Sequence, residues 1–538
     1  MLNFSAHDYP YASQRQSVFA RNGMVATSQP LAAEAGIAML RQGGNAIDAA
    51  IATAAALTVV EPTGNAIGGD AFALVWVKDR LHGLDASGHA PASLDIATVK
   101  AAGHERMPVH GWLPVTVPGC PAAWAELSRR FGKLPFATLF EPAIALARDG
   151  FPVSPVVAHQ WRIAQAEYQA SRDQAPELAA WFDTFLIDGQ APVAGQLFRN
   201  PAQARTLEEL AQTGCESFYR GAIARRLAEH AAASGGHLTT ADLAGYQPRW
   251  VEPIKVDYRG YQVWEIPPSG QGLIALMTLN ILKGYDFDQR DSQLTWHRQL
   301  EAMKKAYADG LHYITDPEHM RVAASVLLDD AYADRRRAEI TDQAQPPLHG
   351  DPQASGTVYI ATADGEGNMV SFIQSAYHGF GSGVVLPDSG IGLQNRGSEF
   401  SLDAAHANAL APGKQTFHTI IPGFLTQGDV PIGPFGVMGG YMQPQGHVQM
   451  VMNLVDFGLN PQAALDAPRW QWLGDMKVGI EQAASRSLAS GLARRGHQIE
   501  IAHDSTDFGR GQIIVRDPET GVLCGGTEPR ADSHIAVC

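Results

Sequence analysis

From Thr357 the chain reads TVYIATADGEGNMVSFIQS, two segments of alternating apolar and polar residues joined by the turn sequence DGEGN. That is the pattern of a β-hairpin. It follows directly on QAQPPLHGDPQASG, a polar, proline-rich loop that ends at Gly356. A strand that starts on a threonine, with a glycine immediately before it, marks a boundary in the chain. On its N-terminal side helical periodicity dominates. MVATSQPLAAEAGIAMLRQGGNAIDAAIATAAALTVVEP, from Met24, predicts two helices broken at Gly43 and Gly44. DAFALVWV and LHGLDASG then read as paired buried strands, and the segment from Trp124 to Gly150 returns to a helical period. Beyond Gly356 short strands prevail, at GIGLQN, TIIPGFL and IIVRDPETGVLCGGT, with one helix at HVQMVMNLVDFG. Segregation of this kind predicts sheets covered by helices on their outer faces.

Size and charge remove several classes of function. A chain of 538 residues has no shortage of core, and with 45% hydrophobic and 18% charged residues it resembles an ordinary folded protein. The formal net charge of −15 repels phosphate backbones, and the richest basic tract, RRRAEI at Arg335, is short. Nucleic acid is therefore not an expected partner. Cys120, Cys215, Cys524 and Cys538 lie far apart without a C-x-x-C, so neither a zinc cluster nor a disulfide framework is indicated. The N-terminal MLNFSAHDYPYASQRQSVFARNG has no apolar core of a secretory signal, and AIDAAIATAAALTVVEP is too short to span a bilayer. These features predict a cytoplasmic protein without a membrane partner.

Familiar motifs are missing. The glycine-rich GFGSG at Gly379 and GVMGG at Gly436 lack the Lys-Ser/Thr of a phosphate loop, and no H-E-x-x-H or G-x-S-x-G occurs. The 19 histidines are scattered rather than set at metal-ligand spacings, so no metal or other cofactor is expected. What remains is Thr357. A threonine hydroxyl is a weak nucleophile unless a base stands beside it, and a free α-amine, with an unperturbed pKa of about 7.7 to 8, is such a base. Using it requires a cut between Gly356 and Thr357. Glycine at the cut favours this, because a residue without Cβ can adopt the backbone that an N→O acyl shift demands. The plain alternative is a turn followed by a strand.

Six blocks decide between these readings: LRQGGNAIDAAIATAAALTVVEPTGNAIGGDAF, GWLPVTVPGCPAAW, LFEPAIALARDGFPVS, GTVYIATADGEGN, FGSGVVLPDSGIGLQN and GVMGGYMQPQGH. In this order, across nearly the whole chain, they resemble the γ-glutamyltransferase family. The resemblance implies an α+β fold, the four-layer αββα sandwich of N-terminal-nucleophile hydrolases. It also implies a precursor cut into a large subunit, residues 1–356, and a small subunit, residues 357–538, that form a heterodimer. Thr357 matches the nucleophile and Ser375 the hydroxyl that supports it. Gly439 and Gly440 match the tandem glycines whose N–H groups form the oxyanion hole. Such donors contribute about 3 to 4 kcal/mol to a tetrahedral intermediate.

The departures from the family point to specificity. Glutamyl-transferring members carry an arginine shortly after Ala-Pro-Ala, whereas APASLDIATVK, from Ala90, has no cation before Lys100. The family's serine pair reads here as His418-Thr419, its substrate-binding asparagine as Tyr377, and its acidic pair as Ser398-Glu399. Asn395 and Arg396 in LQNRGSEF are candidate substrate contacts, Arg396 offering a bidentate donor to a carboxylate. The alternative for Arg396 is a surface ion pair with Glu399, and for His418 a packed histidine. Larger groups replacing smaller ones predict a shorter acyl chain than glutamyl. HTIIP and GGYMQPQGH resemble the amidohydrolase-type branch of the family, which includes oxamate amidohydrolase. The expected activity is thus hydrolysis of a small carboxylate-bearing amide such as oxamate. Glutamyl transfer or glutathione hydrolysis is the rival within the family, and an inactive scaffold the rival outside it.

Overall fold

The protein is described here by a computed structural model that covers residues 10–12, 15–172, 175–347 and 356–538. Ser355 and most of the loop before it lie outside the described residues, as does the start of the segment read for a secretory signal.

The two predicted helices form at Pro30–Arg41 and Ala46–Val60, with Gly43 in the left-handed region between them. Asn45 starts the second one with a capping box, its side chain accepting from the Asp48 N–H while Asp48 accepts from the Asn45 N–H. Every residue of Ala46–Val60 is buried. This run is therefore a core helix, and among the described residues no helix is long and apolar enough to cross a membrane.

Two seven-stranded sheets organise the molecule. The first runs, neighbour to neighbour, His534–Val537, Gly23–Thr27, Gly356–Asp364, Met369–Tyr377, Asp70–Val77, Arg80–Ala86 and Arg249–Val251, all antiparallel. The second runs Val18–Ala20, Leu523–Thr527, Arg510–Arg516, Val430–Met438, Gly423–Gln427, Tyr261–Glu265 and Ile254–Tyr258, also antiparallel. Each sheet takes strands from both sides of Gly356. The expected hairpin occupies the centre of the first sheet, pairing Tyr359 with Ile373 and Ala363 with Met369.

Strand alternation assigns the two faces of that sheet. Val358, Ile360, Val370 and Phe372 pack with Ala46–Val60 and its neighbouring helices. Tyr359, Ala361, Met369 and Ile373 pack in a separate core with Phe424, Met438 and Ile514 of the second sheet. On its other face the second sheet buries Phe435 and Val437 against the helices Gly272–Leu282 and Met442–Val455. Asp70 and Ser375 are register partners at one end of the first sheet, on the face that looks toward the second.

Two strand expectations are corrected. In TIIPGFL only Gly423 onward joins a ladder, because the Ile420 N–H is taken by His418 Nδ1 and the Ile421 N–H by Gln443 Oε1. In GIGLQN only Ile391–Gly392 is a strand, paired with Val385–Leu386 in a two-stranded ladder.

Candidate active site

Thr357 stands at the head of its strand, where the register with Met369–Tyr377 shifts between Gly356 and Val358. It is fully buried. Its Oγ1 lies 3.1 Å from Ser375 Oγ, a hydroxyl–hydroxyl hydrogen bond in which either can donate. Ser375 Oγ also accepts the Tyr377 N–H at 2.8 Å, which fixes its rotamer. The main chain approaches Thr357 closely from a second side. A Cβ on Gly64 would sit 3.2 Å from Thr357 O and 3.3 Å from Thr357 N, so glycine is what admits this approach. Gly64 O in turn accepts the Ala376 N–H.

Gly439 and Gly440 connect the strand Val430–Met438 to the helix Met442–Val455, with φ of +131° and +55°. Both values favour glycine. Gln271 Nε2 holds the turn by donating to Gly440 O and Thr419 O. Among the described residues neither glycine N–H has a backbone partner. Gly439 and Gly64 share the wall of one cavity of about 330 Å³, together with Thr63, His378, Met438 and Arg510. Gly439, the first of the two matched glycines, therefore shares a cavity with Gly64, the residue that packs against the Thr357 main chain.

The second half of the site is an array of side chains. The Gln394 N–H donates to Gly68 O and the Asn395 N–H to Ala376 O, which ties the LQNRGSEF loop to the end of the Thr357 sheet. Arg396 follows and is 1% exposed, so the surface alternative is overturned. Its Nη1 donates to Thr419 Oγ1 at 2.7 Å, and its guanidinium lies 3.9 Å from the centre of the Tyr377 ring. Its carboxylate neighbour is Asp70, at 4.0 Å, and not Glu399. Glu399 instead accepts from the hydroxyls of Tyr377 and Tyr441.

Two of the expected contacts are occupied within the protein. His418 donates from Nε2 to Asp70 Oδ2 at 3.1 Å and accepts the Ile420 N–H at Nδ1, and its ring tilts against Phe72. This is the packed alternative. Asn395 Nδ2 donates to Val109 O and Gly381 O while its Oδ1 accepts the His378 N–H, so its amide ties the His378–Gly381 turn to the Val109 backbone. Ser398 lines a cleft of about 960 Å³ beside Tyr377, Glu399 and Tyr441.

Buried charge sets the protonation of this array. Burial pushes the Asp70 carboxyl up to about 7, against the pull of the Arg396 guanidinium. Burial likewise brings Arg396 down to about 9 and Glu399 up to about 7, the latter opposed by the Tyr441 hydroxyl. His418 is held well below its ordinary value by burial and by Arg396, so it is neutral. Asp70, Gly64, Tyr441 and Gln271 were not singled out by sequence. Asp70 did leave a signal: an acid opening the apolar strand DAFALVWV must find a partner once that strand is buried.

One grouping of possible metal ligands occurs among the described residues. Ligand atoms of His297, Glu301 and His497 lie within 4.8 Å of one another. They are already engaged, His297 with His497 at 2.9 Å and Glu301 with Lys304 at 2.8 Å, and they brace Thr341 and Gln345.

Comparison with known proteins places these residues in context. The family model for gamma-glutamyltranspeptidase matches residues 32–538. An oxamate amidohydrolase proenzyme of Klebsiella pneumoniae is 37% identical over 96% of this chain and 98% of that protein. A glutathione hydrolase-like YwrD proenzyme of Bacillus subtilis is 36% identical over the same shares. Among solved structures, a cephalosporin acylase from Bacillus halodurans is 57% identical with a TM-score of 0.95, covering 99% of each chain.

Proposed function

Since the chain belongs to the gamma-glutamyltranspeptidase family and is an amide hydrolase of the N-terminal-nucleophile type, we propose that it cuts itself before Thr357 and then hydrolyses amides of short, carboxylate-bearing acids. In the maturation step Thr357 Oγ1 adds to the Gly356 carbonyl carbon. The C–N bond breaks as the hydroxyl proton passes to nitrogen, and water opens the resulting ester. Residues 1–356 and 357–538 are the products. Because both fragments supply strands to both sheets, they stay together as a heterodimer in a four-layer αββα arrangement.

In turnover the freed α-amine takes the Thr357 hydroxyl proton and Oγ1 adds to the substrate amide carbon. Ser375 supports the nucleophile, and the Gly439 and Gly440 N–H groups receive the developing oxyanion. The amine product leaves with the proton, and water hydrolyses the acyl ester. No cofactor, nucleic acid or membrane takes part, and the reaction belongs to the cytoplasm.

One observation carries the substrate class. Arg396 Nε and Nη2, the side edge that matches a carboxylate, have no hydrogen-bond partner among the described residues although the side chain is buried. A substrate carboxylate on that edge would satisfy both donors beside Asp70, whose Oδ2 stands 4.0 Å from Nε, with Thr419 bracing Nη1. Oxamate fits this description, as it does in the name of the Klebsiella relative. A second reading, a larger amine leaving group, is favoured by the 57% identity to a cephalosporin acylase and by the 960 Å³ cleft beside Tyr377. Mass spectrometry of the purified protein tests the cut, and ammonia release from a series of carboxylated amides tests the substrate. An intact chain with full activity would end the mechanism.

A further inference from the structure

Arg396 is sealed from the large cleft by a specific construction. The Tyr377 ring stacks on the guanidinium at 3.9 Å. Its hydroxyl donates to Glu399 Oε1, and the Tyr441 hydroxyl donates to the other oxygen, Glu399 Oε2, at 2.8 Å. Both tyrosines are nearly inaccessible. Tyr377 holds φ of +77°, a region that costs a bulky residue conformational energy and persists where neighbours fix it. Tyr441 is fixed from behind, its ring parallel to Phe417 and its carbonyl accepting the Tyr307 hydroxyl. On the outer side of this group lie the 960 Å³ cleft, with Lys100 and Arg106 on its wall, and a second of 520 Å³; Glu399 and Tyr441 line both.

We infer that Tyr377, Glu399 and Tyr441 form a length stop for the acyl group, with Tyr441 as a specificity-determining residue that sequence did not indicate. The inference rests on Arg396 as the carboxylate receptor. With the stop closed, an acid must be short enough to place its distal carboxylate on the Nε/Nη2 edge of Arg396. With the stop removed, the Arg396 guanidinium opens onto the outer cleft, and longer acids extend toward Lys100 and Arg106. A shared carboxylate suits this role because it locks two aromatic rings through one residue. Removing Glu399 frees both at once, whereas removing the Tyr441 hydroxyl frees only one.

The test is a ladder of unreactive dicarboxylates, oxalate, malonate, succinate, glutarate and adipate, titrated calorimetrically into the purified enzyme. The corresponding monoamides are assayed for kcat/KM in parallel. Wild type is expected to bind a short member at least tenfold more tightly than adipate. Glu399→Ala and Tyr441→Ala should each shift that ratio at least tenfold toward adipate, and Tyr441→Phe by a few-fold. Glu399→Gln, which can still bridge the two hydroxyls, should keep the wild-type profile within about threefold. Melting curves establish that each variant is folded, and the ratio between ligands separates specificity from general damage near Gly440. An unchanged length profile in both alanine variants overturns the length stop while leaving Arg396 intact. Absence of dicarboxylate binding and of monoamide turnover in wild type overturns the Arg396 reading and the inference with it.

Discussion

The two halves of the site are built in different ways. Around Thr357 the positions are set by main chain: a strand head, a register shift, the close approach of Gly64 and the turn at Gly439-Gly440. Around Arg396 they are set by side chains from separate segments, with Asp70, Tyr377, Glu399, His418, Thr419 and Tyr441 meeting in a buried, charged array. Backbone geometry tolerates few residue types, so the first half repeats a recognisable pattern. Side-chain arrays can be rebuilt by exchanging partners together, and the residues that depart from the family's pattern, Tyr377, Glu399, His418 and Thr419, all lie in the second half.

The comparison breaks most sharply at Thr357. Thr357→Ala should leave a full-length chain on a denaturing gel and lower turnover by at least three orders of magnitude, since in the proposed mechanism one hydroxyl serves both steps. Any residual cutting or turnover near the wild-type level would transfer the chemistry elsewhere. At the other half, Arg396→Ala should lower kcat/KM for carboxylated amides about 10- to 100-fold while self-cleavage continues. That range corresponds to the loss of a hydrogen bond to a charged group, about 1.5 to 3 kcal/mol. Arg396→Lys should recover little, because an ammonium cannot present the two-donor edge. If both variants fail to mature, the division between the halves is wrong.

A third substitution sharpens the division from the backbone side. Gly64→Ala places a methyl group 3.2 Å from Thr357 O, close enough that main chain must give by a few tenths of an ångström. The expected result is self-cleavage slowed several-fold, followed on a gel over time, with the substrate preference of the matured fraction unchanged. Cleavage at the wild-type rate would show that this approach does not position Thr357.

This contrast also explains what the sequence disclosed. The hairpin from Thr357, the capped helix after Asn45 and the glycine pair each carry local signals, a period of two, a cap with its acid three residues on, and tandem glycines. The interleaving of strands from both sides of Gly356 carries none, because strand order depends on pairings between distant segments such as Gly23–Thr27 with Gly356–Asp364. The Arg396 array was half visible. Tyr377, Glu399, His418 and Thr419 are legible as replacements for the family's residues, but sequence leaves the pocket and surface alternatives for Arg396 open, since burial of a guanidinium depends on Asp70, some 326 positions earlier, and on the cover supplied by Tyr377. His418 and Asn395 look like ligands for the same reason: polar residues in a matching block. Only the structure shows their donors and acceptors already engaged.

The smallest effect concerns pH and distinguishes the halves by charge. Asp70 titrates at about 7 in the folded protein against an ordinary 3.8, because burial penalises its carboxylate more than Arg396 relieves it. A carboxyl whose pKa is raised on folding binds its proton more tightly in the native state, so unfolding releases protons between those two values. Stability should therefore decline as pH rises from about 4 toward 7, the reverse of the usual contribution from a paired carboxylate. Asp70→Asn removes this titration while preserving an oxygen near Arg396 and His418. Its melting temperature relative to wild type should therefore rise steadily with pH across that interval, by a few degrees or less, and then level off above 7. Ser375→Ala, in the half held by main chain, should show a constant offset from wild type at every pH. A constant offset for Asp70→Asn as well would mean that Asp70 is already ionised throughout, and that Arg396, not burial, governs its charge.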